Sequence, residues 1–378
     1  MEFKTISFCT VSMNRAEHIK QTLPENIRDN YIPGKTEFIL LDYNSNDDLS
    51  DWINQNMQEY IKSGALKFYK TFIPQSFHRS HSRNLNLRLG TGDLLCNVDA
   101  DNFLGHGFAS YLLDVFNGNP NVIIRGSGIP NLDTLGRICI RKDDFFKVGG
   151  YDEYMDGYGA EDDDIVFRTN IYAREIIYFD DSAFSRTLKH LDIERISNEK
   201  NISNIKYIYL AKTSFYTSEF LILFIDNSYH LFTYTDLSGL NCRNYANGIS
   251  SIIISEDIVD RTSLINNENY PYPTNDDYWI SGTWCENENA VVLTDSSLKE
   301  RILTCKNNIL SDNKMIYHAI TVEKDFHEVI FFYTQIKNRH KLKQNIDSKT
   351  WKVNETGFGC GIVFKNFDFL NPIELKQI

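Results

Sequence analysis

The chain lacks several features, and each absence narrows its class. It has no CxxC pair, and its seven cysteines (Cys9, Cys96, Cys139, Cys242, Cys285, Cys305 and Cys360) are scattered and odd in number. That argues against a zinc ribbon or a complete disulfide framework and fits a reducing compartment. No apolar run approaches the roughly 18 residues of a membrane span. The opening stretch "MEFKTISFCTVSMNR" is too short and too interrupted in its apolar part for a signal peptide. A cytoplasmic protein is expected, with at most peripheral contact at the inner face of a membrane. Basic charge is also scarce: 39 Lys and Arg stand against 51 Asp and Glu, a formal net charge of −12. A general nucleic-acid binder neutralises phosphates with clustered cations, so no nucleic-acid partner is expected. There is no repeat of fixed period and no low-complexity linker. What is present, 378 residues with 42% hydrophobic and 24% charged, suits about two globular domains.

The first two hundred residues alternate strand and helix patterns. "TISFCTVSM", "TEFILLDYNS", "ALKFYKTF" and "DLLCNVDADN" read as strands. Between them "RAEHIKQTLPENIRDN", "LSDWINQNMQEYIKSG" and "SHSRNLNLRLGTG" read as helices, the first kinked or ended by Pro24 and the others closed by glycine. This order predicts an α/β domain with a mostly parallel sheet and ligands beyond the carboxyl ends of its strands. After about residue 200 the texture changes. "FLILFIDNSYHLFTYTDLSG" reads as a hairpin around Asp226 to Ser228, and "SSIIISED", "NAVVLTD", "EVIFFYTQI" and "GFGCGIVFKNF" are further apolar runs between polar turns. Two domains are expected, 1–204 and a strand-rich 205–378, with "RISNEKNISNIK" at the boundary.

Several residues carry chemistry in this frame. Asp99 and Asp101 follow an apolar strand, where two hard oxygen ligands suit Mg²⁺ or Mn²⁺ and a diphosphate; an Asp-rich turn is the alternative. His190 in "RTLKHLD" offers a borderline nitrogen ligand, or is a surface or capping residue. Asp42 in "LLDYNSNDD" can accept a hydrogen bond from a base or ribose, or simply make the turn before the next helix. Arg83 can pair with phosphate or be a solvated helix charge. The most unusual stretch is "GYGAEDDDIVFR", with four adjacent acids, Glu161 to Asp164, in an already acidic chain. Acids in the first turn of a helix are stabilised by its positive end, which accounts comfortably for two of the four. It does not account for the introduction by Gly157, Tyr158 and Gly159, an aromatic on a glycine-flanked loop of the kind a sugar ring stacks against.

The segment "GGYDEYMDGYGAEDDDIVFR" resembles the acceptor and catalytic segment of β-1,4-galactosyltransferases and related inverting GT-A enzymes, while "TVSMNR", "LLDYNSNDD" and "RNLNLRLGTGDLLCNVDADN" resemble the matching blocks of family 2 glycosyltransferases. The resemblance covers about residues 4 to 195, with the blocks in the right order. It implies a GT-A domain, with Asp162 as general base and Tyr158, Glu161 and Asp163 holding the acceptor. It also implies Asp99, Asp101 and His190 on Mn²⁺ (or Mg²⁺), and Asn14, Arg15, Asp42, Arg83 and Asp99 on the nucleotide sugar. Asp164 is expected to cap the helix. Thr187, Ala160 and Tyr158 depart from the methionine, glycine and tryptophan of those galactosyltransferases. The implied activity is transfer of a hexose, galactose or N-acetylgalactosamine before glucose or N-acetylglucosamine, from a UDP-sugar. The implied acceptor is a glycan or lipid-linked saccharide in surface polysaccharide synthesis. The alternatives are a non-catalytic sugar-binding scaffold, a retaining transferase or a nucleotide-sugar hydrolase. For the second domain, Tyr270, Tyr272, Tyr278, Trp279 and Trp284 suggest sugar stacking, and a homodimer contact is an equal alternative.

Overall fold

The structure, a computed structural model, describes residues 3–127, 134–172, 174–190, 192–199, 204–213, 217–235 and 278–377. Strands buried on both faces of a parallel sheet read as near-continuous apolar runs, and the first part of the chain supplies them. β1 (Ile6–Ser12) is buried at all but one position and β2 (Thr36–Tyr43) throughout. With β3 (Leu66–Thr71) and β4 (Leu94–Asn97) they form a parallel core in the order β3-β2-β1-β4. Between them run α1 (Ala16–Asn30), α2 (Leu49–Asn56), α3 (Gln58–Lys62) and α4 (Arg79–Arg88). Pro24 lies inside α1 rather than ending it; the apolar face of Ile19, Leu23 and Ile27 is buried on both sides of the proline and outweighs the one lost hydrogen bond.

The chain continues through α5 (Phe108–Gly118), β5 (Val122–Arg125), β6 (Ile138–Arg141), α6 (Lys142–Lys147), α7 (Glu161–Thr169) and β7 (Glu175–Tyr178), then two short helices, α8 (Asp181–Phe184) and α9 (Asp192–Ile196). β6 lies antiparallel between β4 and β5, so the sheet is mixed rather than mostly parallel. Successive side chains leave a strand on opposite faces. Phe8, Phe38, Leu40 and Phe68 pack with Ile19 and Leu23 of α1, Ile53 of α2 and Phe108 and Leu112 of α5. On the other face Cys9, Ile39, Leu41 and Tyr69 pack with Leu85 and Leu87 of α4, Phe145 of α6 and Ile165 and Val166 of α7. The result is a three-layer α/β sandwich.

The chain divides at residue 200, inside the expected boundary stretch, but not into two contiguous halves. Residues 201–333 form the second unit and 334–378 return to the first. The second unit is a closed antiparallel barrel of β8 (Ile205–Lys212), β9 (Thr217–Phe224), β10 (Ser228–Thr235), β11 (Trp279–Asn287), β12 (Ala290–Asp295), β13 (Glu300–Lys306), β14 (Ile309–Ser311) and β15 (Ile316–Ala319). β9 and β10 are the hairpin expected around Asp226 to Ser228. Closure leaves no open strand edge. Trp284 belongs to the barrel core with Leu221, Leu231 and Leu303 and donates its indole N–H to the Phe224 carbonyl at 3.0 Å, so it is not a sugar platform. Trp279 stacks on Phe232 and Tyr333, and Tyr278 is partly exposed. Tyr270, Tyr272 and "SSIIISED" lie outside the described residues.

"EVIFFYTQI" is not a strand but part of the long helix α10 (Glu323–Asp347). A short apolar run fits either element, and here the Lys-, Gln- and Asn-rich residues after it carry the helix on. "GFGCGIVFKNF" does contain a strand, β16 (Gly361–Lys365), but it joins the first unit, pairing antiparallel with β3 and with β17 (Ile373–Leu375). The first sheet therefore runs β17-β16-β3-β2-β1-β4-β6-β5-β7. No described helix is long and apolar enough to cross a membrane.

Candidate functional site

The strand order reverses at β1, which has β2 on one side and β4 on the other, and a crevice at the carboxyl ends of such strands is where α/β sheets bind ligands. A cleft of about 210 Å³ opens there, with Met13 and Arg15 after β1, Asn97, Asp99 and Asp101 at the end of β4, and Tyr158 to Asp163 at the start of α7 among its walls.

Its centre is Arg83 of α4, which is buried. The guanidinium donates to Asp162 at 2.8 Å, Asp99 at 3.0 Å and Glu161 at 3.1 Å, so three carboxylates share this cation, and Arg79 Nε lies 3.6 Å from the same Glu161 oxygen. Gly136 lies against this cluster: a Cβ there would come within 2.4 Å of Asp99 Oδ2, 3.0 Å of Arg83 Nη2 and 3.3 Å of Asp162 Oδ2, so the backbone approaches where a side chain has no room. Tyr151 adds its hydroxyl to Asp162 at 3.3 Å. Burial pushes the Asp162 carboxyl up to about 7; Arg83 opposes this, but Glu161 and Asp99 add to it. One oxygen of Glu161, Oε2, is buried without a partner among the described residues. Asp163 is largely exposed and pairs with Arg125 at 3.0 Å.

Asp164 does not cap the helix. It turns away from the cleft into the core and pairs with Arg168 at 2.7 Å, while Asn345 of α10 donates to its other oxygen at 2.8 Å. A fully buried Arg168 demands a buried counter-charge, and Asp164, one turn earlier on α7, is placed to supply it. Tyr158 is held by cations: its hydroxyl accepts from Arg195 at 2.8 Å, and the guanidinium carbons of Arg79 and Arg195 lie 5.0 and 5.4 Å from its ring centre.

The three expected metal ligands do not form one cluster. His190 Nε2 and Asp101 Oδ2 are 2.9 Å apart, and this contact helps hold the Asp101 carboxyl below its ordinary range against burial. Asp99 is instead drawn to Arg83, and no group of three or more His, Cys, Asp or Glu among the described residues is set to hold a metal. An oxygen and a nitrogen ligand already in contact still fit a hard divalent cation, which commonly takes one or two protein ligands and fills its shell with water and phosphate oxygens.

The nucleotide-side expectations separate. Arg15 lines the cleft and pairs with Glu194 at 2.9 Å. Asn14, at φ 57°, ties the loop ends together: its Oδ1 accepts from Asn46 N–H and its amide donates to Asn198, both at 2.7 Å. Asp42 is fully buried outside the cleft lining. Its carboxylate accepts from Ser45 N–H at 2.7 Å, Ser50 at 2.8 Å and Lys70 at 2.7 Å, which is the turn-making role. Sequence reasoning missed Arg79, Arg125, Glu194 and Arg195 of the lining, and His18. Arg79 was readable from "RSHSR", one turn before Arg83 on the same helix. Arg195 opens, and Glu194 directly precedes, a stretch whose polar composition reads as a boundary.

Residues 132–209 match the family model described as the N-terminal domain of galactosyltransferase, a segment that contains Tyr158, Glu161, Asp162, Asp163 and His190. That segment is similar to a galactosyltransferase one. No curated protein sequence matches the chain. Solved structures similar to this chain include S. aureus TarS 1–349 in complex with UDP, at 15% identity and TM-score 0.40 over 48% of this chain and 59% of that one. The mannosyltransferase PcManGT from Pyrobaculum calidifontis in complex with GDP-Man and Mn²⁺ is similar at 16% identity and TM-score 0.43 over 52% and 62%. GalNAc-T7 with UDP, GalNAc and Mn²⁺ is similar at 15% identity and TM-score 0.39 over 47% and 42%. The chain spans less than two thirds of each of them.

Proposed function

We propose that the first unit is a GT-A glycosyltransferase domain that transfers a hexose with inversion from a UDP-sugar to a glycan or lipid-linked saccharide acceptor. The observation that carries this reading is Asp162: a carboxyl at the cleft whose proton affinity is raised to about 7, the value that suits a general base near neutral pH. In the proposed step the Asp162 carboxylate takes the proton of the acceptor hydroxyl as that oxygen bonds to the anomeric carbon. The bond from that carbon to the diphosphate oxygen breaks on the opposite face, and its electron pair leaves with the nucleoside diphosphate. Glu161, with its unpartnered Oε2, and Asp163 accept hydrogen bonds from acceptor hydroxyls. Mn²⁺ or Mg²⁺ held by Asp101 and His190, with Asp99 adjoining, would offset the charge on the leaving group. Arg83 orders Asp99, Glu161 and Asp162, to which three of its five N–H groups donate, and in this reading it acts through those carboxylates rather than on phosphate.

Galactose or N-acetylgalactosamine is favoured because the matched segment is a galactosyltransferase one. We place the enzyme in surface polysaccharide synthesis, at the cytoplasmic face of a membrane, with the barrel as an acceptor-holding or dimer-forming unit. The test is nucleotide release from UDP-, GDP- and CMP-sugars, with and without Mn²⁺, using slow hydrolysis to water. Metal-dependent release from one UDP-sugar is expected. No release and no nucleotide binding would leave a sugar-binding scaffold, and a product with retained anomeric configuration would exclude the inverting step.

A further inference from the structure

Among the described residues His18 is the one cleft-lining histidine besides His190, and the expected site gives it no task. It sits in the first turn of α1, three residues after Arg15, and its ring meets that of His190 edge-on with centroids 5.7 Å apart. The turn that carries Asp101 is fixed against the same helix, because Thr22 donates to the Ala100 carbonyl at 2.8 Å and Asn26 to the Asn102 carbonyl at 2.9 Å. His18 therefore stands over the Asp101/His190 contact, on a rigid element.

Its hydrogen bonding decides what it presents. Nδ1 is buried and has no partner among the described residues. A buried N–H without an acceptor is rarer and more costly than a buried acceptor without a donor, so the proton belongs on the other nitrogen. Nε2, the nitrogen not enclosed, then carries an N–H toward the cleft. We propose that His18 is a phosphate-positioning residue, donating its Nε2–H to a diphosphate oxygen of the bound nucleotide beside Asp101 and His190, and that it does not ligate the metal. This rests on the transferase reading, since it needs a nucleoside diphosphate in the cleft.

The test is calorimetric titration of UDP, with GDP in parallel, into the full chain and its His18→Ala and His18→Gln variants, in EDTA and again in Mn²⁺, with melting temperatures alongside. A hydrogen bond to a charged oxygen predicts UDP binding about tenfold weaker for His18→Ala in both conditions. His18→Gln, which keeps an N–H near the Nε2 position, is expected to stay within about threefold of the parent. Unchanged UDP affinity in His18→Ala overturns the proposal. So does a loss seen only with Mn²⁺, which would make His18 a metal ligand, or a lowered melting temperature that His18→Gln does not restore, which would make it structural. A parent protein that binds neither UDP nor GDP in either condition overturns the transferase reading, and this proposal falls with it.

Discussion

The two sides of α7 make opposite uses of the same residue type. Toward the cleft, Glu161 and Asp162 share Arg83 with Asp99, with Arg79, 3.6 Å from Glu161, as a second and looser cation. Toward the core, Asp164 has Arg168 to itself, and the two terminal nitrogens of Arg168 donate to the carbonyls of Val148 at 2.8 Å and Gly150 at 2.7 Å. Both sides lie at the positive end of the helix, so the dipole does not separate them. Stoichiometry does. Burial raises the proton affinity of both acids, but Asp164 has a guanidinium of its own and an Asn345 donor and is a structural pin, whereas Asp162 shares its cation, is pushed up to about 7 and faces the cleft, where it can exchange a proton.

The largest effect that can break this contrast is at Asp162. Asp162→Asn is expected to lower transfer by about 10²- to 10⁴-fold while nucleotide binding stays within a few-fold, because the base is lost and the diphosphate contacts are not. The same variant should melt higher than the parent above pH 7. Folding raises the Asp162 pKa from 3.8 to about 7, so its protonated form stabilises the fold fully below the unfolded value, and that stabilisation is lost as pH rises through the folded one. Asparagine cannot ionise and does not lose it. A variant that is both inactive and less stable at pH 8 would place Asp162 with Asp164 as a structural residue.

Asp164→Ala is the mirror experiment. It leaves Arg168 buried and unpaired, at a cost of about 3–5 kcal/mol in unfolding free energy. Whatever fraction folds should keep its turnover per molecule, measured against active-site titre. Lost turnover in well-folded protein would contradict the division between the two sides.

Smaller, and aimed at the cleft side alone, is the pH profile. If Asp162 must be ionised, kcat/KM falls about tenfold per unit below pH 7 and levels off above it. A profile flat down to pH 5 would mean that the carboxylate is ionised throughout or that another group takes the proton.

Much of this was legible in the sequence, for reasons that differ by residue. The β3-β2-β1-β4 core reads directly, because buried parallel strands are apolar runs and the helices between them keep a buried apolar stripe. Asp99, Asp101, Asp162 and His190 stand out through motifs whose order is informative. The pairings did not read. Nothing near Asp99 in the chain says that Arg83, not a second acid, will hold it, and nothing in "EDDD" says that its last member turns inward to Arg168. The tail was hidden by distance: Asn366 accepts from Phe68 N–H across 298 positions, a contact to which local periodicity is blind. "EVIFFYTQI" failed for a third reason, since a run of that length fits strand or helix and only its flanks decide.

Ala160 marks the hinge between the two sides, and its substitution is the finest test of how α7 is set. It is the residue before the helix and adopts φ 67°, ψ −10°, a left-handed conformation where the galactosyltransferase pattern has glycine. A non-glycine residue there carries strain of about 1–2 kcal/mol, against which glycine adds about 0.4–1 kcal/mol of extra disorder to the unfolded chain. Ala160→Gly is therefore expected to raise unfolding free energy by up to about 1 kcal/mol, a shift of a few degrees in melting temperature for a unit of this size. The charge balance on either side of α7 is untouched, so the acid limb of the pH profile should stay near 7. A stability gain with an unmoved limb would show that the start of α7 is strained independently of its charges. A limb that moves with the backbone would show that the raised Asp162 pKa depends on how Ala160 sets the helix against Arg83.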